Sequence, residues 1–196
     1  MVEVKHQGKA YPLGYSQYEE DGEQITQFAL YSSLADAVTL CLFENGKKEQ
    51  RFAMHCRDNV WHIALSGVAN GMQYGFRITA ENDRTLANPN KLMLDPYAKA
   101  VVGKPDLSSP EVRSIFQLND PRDNAEFAPK GQIIETAFDW QNDKAPKTPW
   151  AETVIYELSV KGFSQLRTDL PETLRGTYAG LAQPQSVAYL KELGVT

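Results

Sequence analysis

The chain has 196 residues, 42% of them apolar and 23% charged, with 20 Lys+Arg against 25 Asp+Glu for a formal net charge of −5. That apolar share is enough to build a real core and too high for intrinsic disorder. A mild acidic excess with no Lys/Arg cluster excludes a nucleic-acid or anionic-membrane surface, because both partners need concentrated positive charge.

The N-terminal stretch MVEVKHQGKAYPLG has no apolar signal region, no later stretch reaches the length of a membrane span, and no Asn-X-Ser/Thr sequon occurs. Two cysteines, Cys41 and Cys56, are too few for a disulfide framework and read as free thiols. The expected location is cytoplasmic.

Up to about residue 80, short alternating runs are separated by turn dipeptides, as in an all-β domain. Residues 24–31 place Thr26, Phe28 and Leu30 on one face, and 38–43 do the same with Val38, Leu40 and Leu42. Cys41 lies within that second run, where a small buried hydrophobe is expected. Asn45-Gly46 follows, a pair suited to the positive φ angles of a type I′ turn, so 38–43 and 51–54 read as a hairpin. Residues 60–65 set Trp61, Ile63 and Leu65 against Val60, His62 and Ala64. After Asn70-Gly71, residues 73–80 align Tyr74, Phe76 and Ile78, which predicts a second hairpin. Strands at this spacing predict an antiparallel sandwich with one shared core.

Residues 105–150 are interrupted by Pro105, Pro110, Pro121, Pro129, Pro146 and Pro149 and read as an irregular connection. Then Val154-Ile-Tyr-Glu-Leu-Ser-Val160 is nearly continuous apolar sequence, which predicts a strand covered on both faces. A loop with Gly176 and Gly180 leads to Val187, Leu190 and Leu193 at helical spacing, with Ser186 as the predicted N-cap and Gly194 as the stop. A strand, a loop and a helix make the opening of an α/β unit whose next strand would start near Thr196.

Several constellations carry possible chemistry. His55, Cys56 and His62 are close in sequence, yet their spacing fits no zinc signature, so no metal site is assigned. Ser66, His62 and Asp58 can be written as a triad without a nucleophile elbow. Glu157 is one carboxylate in an apolar run, better suited to a structural or ion-paired role. Gly176 and Gly180 read as loop flexibility. Trp61 and Tyr74 are the weak candidates for stacking on a sugar, weighed against core packing, which period-2 alternation favours for both. Asp95-Pro96-Tyr97 reads as a structural turn.

The motifs Pro12-Leu-Gly14, Lys91-Leu-Met-Leu-Asp-Pro-Tyr-Ala-Lys-Ala100, Val154-Ile-Tyr-Glu-Leu-Ser-Val-Lys-Gly-Phe163, Arg175-Gly-Thr-Tyr-Ala-Gly-Leu181 and Tyr189-Leu-Lys-Glu-Leu-Gly-Val-Thr196 closely resemble, in order, the N-terminal part of bacterial glycogen debranching enzymes. These are of the isoamylase type, in the α-amylase superfamily (glycoside hydrolase family 13). The resemblance implies a mostly β fold: an immunoglobulin-like sandwich of the carbohydrate-binding module 48 type at 1–104, an irregular linker at 105–150, and at 151–196 the first βα unit of an incomplete (β/α)8 barrel. Residues 154–160 would be its first strand and 186–193 its first helix.

The family hydrolyses α-1,6-glucosidic branch points of glycogen or limit dextrin by a retaining mechanism, with two carboxylates roughly 5 Å apart. It draws those groups, and a supporting Asp, from later barrel strands. No catalytic residue and no cofactor is therefore assigned here, and the chain alone is expected not to hydrolyse glycosidic bonds. The implied partners are an α-glucan and the missing barrel portion of the same polypeptide. The alternative is a stand-alone glucan-binding module or a non-catalytic interaction domain.

Overall fold

Two antiparallel sheets enclose one core in the first of the chain's two units, Met1–Ala137 and Phe138–Thr196. The computed structural model describes residues 1–44, 48–81, 87–135 and 139–196. The strands, in chain order, are β1 Glu3–His6, β2 Gly14–Glu20, β3 Glu23–Tyr31, β4 Ala37–Phe43, β5 Glu49–Ala53, β6 His55–Arg57, β7 Val60–Ser66, β8 Gln73–Thr79, β9 Val101–Val102 and β10 Lys130–Gln132. One sheet has the order β1-β7-β3-β2 with β6 also on β7, and the other the order β5-β4-β8-β10-β9. Alternation fixes which residues meet between them: Phe28, Trp61, Ile63 and Leu65 from the first sheet pack with Val38, Leu40, Leu42, Tyr74 and Phe76 from the second. Burial of each such side chain stabilises the fold by about 1.5–3 kcal/mol.

The hairpin read from 38–43 and 51–54 is present as β4–β5, with Leu40 opposite Phe52. Its Asn45-Gly46 turn lies outside the described residues. The second expected hairpin is not formed. β7 pairs with β3 and β8 with β4, so the turn at Asn70-Gly71 carries the chain from one sheet to the other. A tight turn reverses the chain either way, and the long-range pairings Phe28↔Ile63 and Leu40↔Phe76 decide which strands become neighbours.

Other features go beyond the sequence reading. β2 pairs with β3 through Asp21-Gly22, both at positive φ. Asp58-Asn59, both at positive φ, likewise close β6 onto β7. These are the angles of type I′ turns.

The stretch 105–150 is more ordered than predicted. Ser109 caps helix α1, Pro110–Ile115, by accepting from the Val112 amide, and proline occupies the first turn, where its missing N–H costs nothing. β10 then joins the second sheet beside Tyr74. Phe116, Ala125, Leu92 and Ala128 cover Cys41 and Phe43 on that sheet's outward face. The sandwich unit thus runs past residue 104 and takes in most of the expected linker. Cys41 is buried, Cys56 is exposed, and both are free.

In the second unit, 154–160 is not a strand. Residues 153–159 hold no ladder, and Val160 opens helix α2, Val160–Ser164, capped by Ser159 through the Gly162 amide. A strand exists only through a pairing partner, and no described strand offers one. Helices α3, Tyr178–Leu181, and α4, Pro184–Glu192, follow. Gln183, not Ser186, occupies the α4 N-cap, because Pro184 takes the first helical position. Gly194 does end the helix at φ 79°, with the Val195 amide on the Leu190 carbonyl and the Gly194 amide on that of Lys191, a Schellman closure. The chain then returns beside the segment that precedes α2, where the Thr196 amide donates to the Val154 carbonyl. Ile155 and Leu166 are 76% and 90% exposed, so apolar surface of this unit is uncovered.

Candidate functional site

The aromatic candidates lie inside the sandwich. Tyr74 is fully buried in a ring cluster, 5.1 Å from Phe28, 5.9 Å from Tyr15 and 6.1 Å from Phe76 between centroids. Its hydroxyl donates to Asp95 Oδ2 at 2.7 Å, and Asp95 also accepts from the Tyr97 amide at 2.8 Å. Burial pushes the Tyr74 hydroxyl up, helped by the Asp95 charge. Burial also raises the Asp95 carboxyl, against the two hydrogen bonds it accepts. Asp95-Pro96-Tyr97 is thus a clamp on the core, in keeping with its structural reading, and Gly14, at φ 81°, lets it close because a Cβ there would meet Tyr97 Cβ at 2.8 Å. Trp61 is 8% exposed and its Nε1 donates to the Ser32 carbonyl at 3.2 Å. Neither Trp61 nor Tyr74 leaves a ring face for a sugar.

The histidine constellations come apart. His55 and His62 face each other across β6 and β7, whereas Cys56 pairs with Trp61 on the opposite side of the ribbon. Among the described residues no group of three His, Cys, Asp or Glu is placed to hold a metal ion. Ser66 is four residues along the strand from His62, about 13 Å away, and Asp58 pairs with Arg57 at 3.7 Å. His62 Nδ1 bonds the Gln7 carbonyl at 2.7 Å instead of any carboxylate. Glu157 is exposed. Gly176 and Gly180 serve close packing: the Gly176 amide donates to Ser164 Oγ, and the buried Ser186 hydroxyl donates to the Gly180 carbonyl. Their role is tight approach, which corrects the reading as loop flexibility.

Two charged groups escaped the sequence reading. Arg77, 4% exposed, donates to Glu49 through Nε at 2.7 Å and Nη2 at 2.8 Å, and to Asp123 at 2.8 Å. Burial alone would raise the Glu49 carboxyl, but hydrogen bonds from Arg77 and Arg51 outweigh it and hold it at about 2. Lys130 donates to the carbonyls of Ala125 and Ala128 with its ammonium 5.1 Å over the Phe43 ring, beside a cavity of about 430 Å³, and burial lowers its pKa. Arg77 stands in an alternating strand where only its partners, 28 and 46 residues away, reveal its role.

In the second unit, Phe163 and Tyr189 stack at 6.0 Å with the Arg167 guanidinium 5.7 Å and 6.0 Å above their rings. With Tyr156 these residues line a cavity of about 510 Å³. Asp169 holds Arg167 in place at 2.5 Å. These groups can bind and orient, but none is poised as a proton donor.

Comparison with known proteins agrees with this geometry. Residues 12–98 match carbohydrate-binding module 48, the isoamylase N-terminal domain. The chain is 57% identical over 196 residues to the glycogen operon protein GlgX homolog of Haemophilus influenzae, covering all of this chain and 29% of that protein. It is 42% identical over 194 residues to a glycogen debranching enzyme of Klebsiella pneumoniae, covering 96% and 29%. The chain thus spans less than a third of the length of these relatives. Among solved structures, it superposes on the Paenibacillus barengoltzii pullulanase complexed with maltohexaose and α-cyclodextrin at TM-score 0.64 and 21% identity, covering 97% of this chain and 27% of that one. The group B Streptococcus pullulanase in complex with maltotetraose gives TM-score 0.62 at 20% identity, covering 96% and 23%. At this identity the likeness is one of fold.

Proposed function

We propose, on the premise that residues 12–98 belong to the carbohydrate-binding module 48 family and that the chain corresponds to the N-terminal portion of bacterial glycogen debranching enzymes, that it is the non-catalytic front of a hydrolase. That enzyme acts on α-1,6-glucosidic branch points of glycogen or limit dextrin. The sandwich serves as its α-glucan-associated module, and residues 151–196 open its catalytic barrel, whose remainder is this chain's main partner. We place it in the cytoplasm, in accord with two free thiols and no helix among the described residues long and apolar enough to cross a membrane.

The observation that carries this reading is the likeness to a glycogen debranching enzyme over 96% of this chain, across both units, and 29% of that enzyme. The chemistry agrees. Retaining hydrolysis needs a nucleophile and a protonated acid roughly 5 Å apart. Glu49 and Asp123 do share a partner, but that partner is Arg77, and a carboxyl held at about 2 is no proton donor at neutral pH. The purified chain should release no linear chains from a branched dextrin, and release of such chains would overturn the non-catalytic reading. Electrophoresis through a glycogen-containing gel should retard it, and unretarded migration would refute glucan binding in favour of an interaction domain.

A further inference from the structure

The outward face of the β5-β4-β8-β10-β9 sheet gathers charged side chains whose pairing does not balance. Its carboxylates, Glu49 and Asp123, are both taken by Arg77, and Arg51 also holds Glu49. Lys130 is 8% exposed and has no carboxylate within ion-pair distance among the described residues. Its ammonium donates to the Ala125 and Ala128 carbonyls and lies 5.1 Å over the Phe43 ring. An ammonium has three N–H donors, so one remains after the two carbonyls are served. Burial lowers the Lys130 pKa more than the charges of Asp123 and Glu49 raise it, the mark of a cation taken from water without a counter-ion of its own.

This unpaired cation stands at a cavity of about 430 Å³. Strand register builds its floor: Phe43 lies opposite Gln73 on β4 and β8, and Lys130 opposite Val102 on β10 and β9. Paired residues leave the same face of a sheet, and the Lys130 contact with Phe43 puts both pairs on one face. Residues 125–128 close the far side, with Phe127 half-buried and Glu126 exposed. Phe43, Ala125 and Ala128, the residues that Nζ meets, all line the cavity, which sets the ammonium at its wall. Phe43, Val102 and Phe127 make that wall largely apolar, and Gln73 adds a side-chain amide. Glu126 at the rim repels a second negative charge.

We infer that this cavity binds a small monocarboxylate with an apolar body. One carboxylate oxygen accepts the remaining Lys130 N–H, the Gln73 amide donates to the other, and an aryl or short alkyl group packs between Phe43, Val102 and Phe127. The site is independent of the glucan-binding reading.

The test is an NMR titration of the whole 196-residue chain with benzoate, with benzamide as the neutral molecule of the same shape. Benzoate should shift the amides of 101–103 and 125–130 saturably, with a Kd of about 1 mM. Benzamide should bind at least about tenfold more weakly. Glu126→Gln, an exposed change that removes the rim charge, should tighten benzoate about twofold. Lys130→Met should lose benzoate binding. It also leaves two carbonyls without their donor, so the benzamide and Glu126→Gln arms decide if its spectrum shows 125–130 unfolded. Shifts that map elsewhere, or no saturation by about 20 mM benzoate, would overturn the site. Benzamide binding as tightly as benzoate, or benzoate binding no tighter to Glu126→Gln than to the parent, would overturn the pairing with Lys130 and the proposal with it. Saturation of the same amides by inorganic phosphate below the benzoate concentration would replace the carboxylate and overturn it as well.

Discussion

Replacing Arg77 by methionine tests whether the Glu49–Arg77–Asp123 cluster stabilises the sandwich through charge. Methionine keeps the stem's packing and removes the guanidinium, with its bonds to both carboxylates and to the Pro89 carbonyl. The Glu49 carboxyl lies at about 2 in the folded chain against an ordinary 4.5. That difference converts to about 3 kcal/mol, and with one carboxylate edge near solvent, screening reduces it to about 1–2 kcal/mol. Arg51 retains Glu49 at 2.8 Å and keeps part of it, whereas the orphaned Pro89 carbonyl adds about 1 kcal/mol of loss. Urea unfolding followed on β4 and β8 amide signals should therefore show Arg77→Met about 2 kcal/mol less stable at pH 7. Because the folded pKa is depressed, the charge contribution is complete above the unfolded value of 4.5 and is lost as pH falls toward 2. Measured at pH 3, the gap between parent and variant should have closed by more than half of its charge-dependent part. An equal gap at pH 7 and pH 3 would refute the electrostatic account and assign the loss to packing.

Tyr74→Phe removes a donor from a buried carboxylate and should cost about 1–3 kcal/mol in a melting experiment. The Asp95 pKa, already raised by burial, should rise further, so the loss should grow between pH 4 and pH 7 as the folded state resists ionisation. Glycogen retardation should not change at temperatures where this variant is folded. Gly8→Ala places a Cβ against β7 at a positive φ and should destabilise the sandwich by about 1–2 kcal/mol, with faster hydrogen exchange at Lys9, whose amide is bound to Gln27. Gly194→Ala meets no steric obstacle, so only its φ of 79° is strained. About 1 kcal/mol of local stability should go, read as faster exchange at Val195 with the sandwich melt unchanged.

The strands legible from sequence are those with one face in the core. β3, β4, β7 and β8 alternate because Phe28, Leu40, Ile63 and Tyr74 enter one shared interior. β1, exposed along its whole length, and the polar end of β2 carry no such rhythm. The Asp21-Gly22 turn between β2 and β3 was readable all the same, and Ser109-Pro110 announced α1 by cap and proline. β10 could not be read locally. Lys-Gly-Gln has little strand propensity, and Gly131 is needed because the Tyr74 ring lies where its Cβ would be.

Burial of polar residues on an outward sheet face follows a different logic from core alternation. Gln27 and His62 fall on the polar side of β3 and β7, so period-2 reasoning sends them to solvent, yet they are 1% and 4% exposed. An irregular segment covers them, and its own sequence, Gln-Gly-Lys-Ala-Tyr, has no apolar pattern to reveal it. What holds it is backbone: the Gln7 and Tyr11 carbonyls and the Lys9 amide each meet a side chain from β3 or β7. Such contacts depend on a three-dimensional crossing that neither periodicity nor composition encodes. The family resemblance therefore identifies the sandwich from motifs near its margins, at 12–14 and 91–100, while the cover over β3 and β7 brings together Tyr11 and His62, 51 positions apart in sequence. Each looks unremarkable on its own, and together they line one cleft because Gly8 lets the backbone lie against β7.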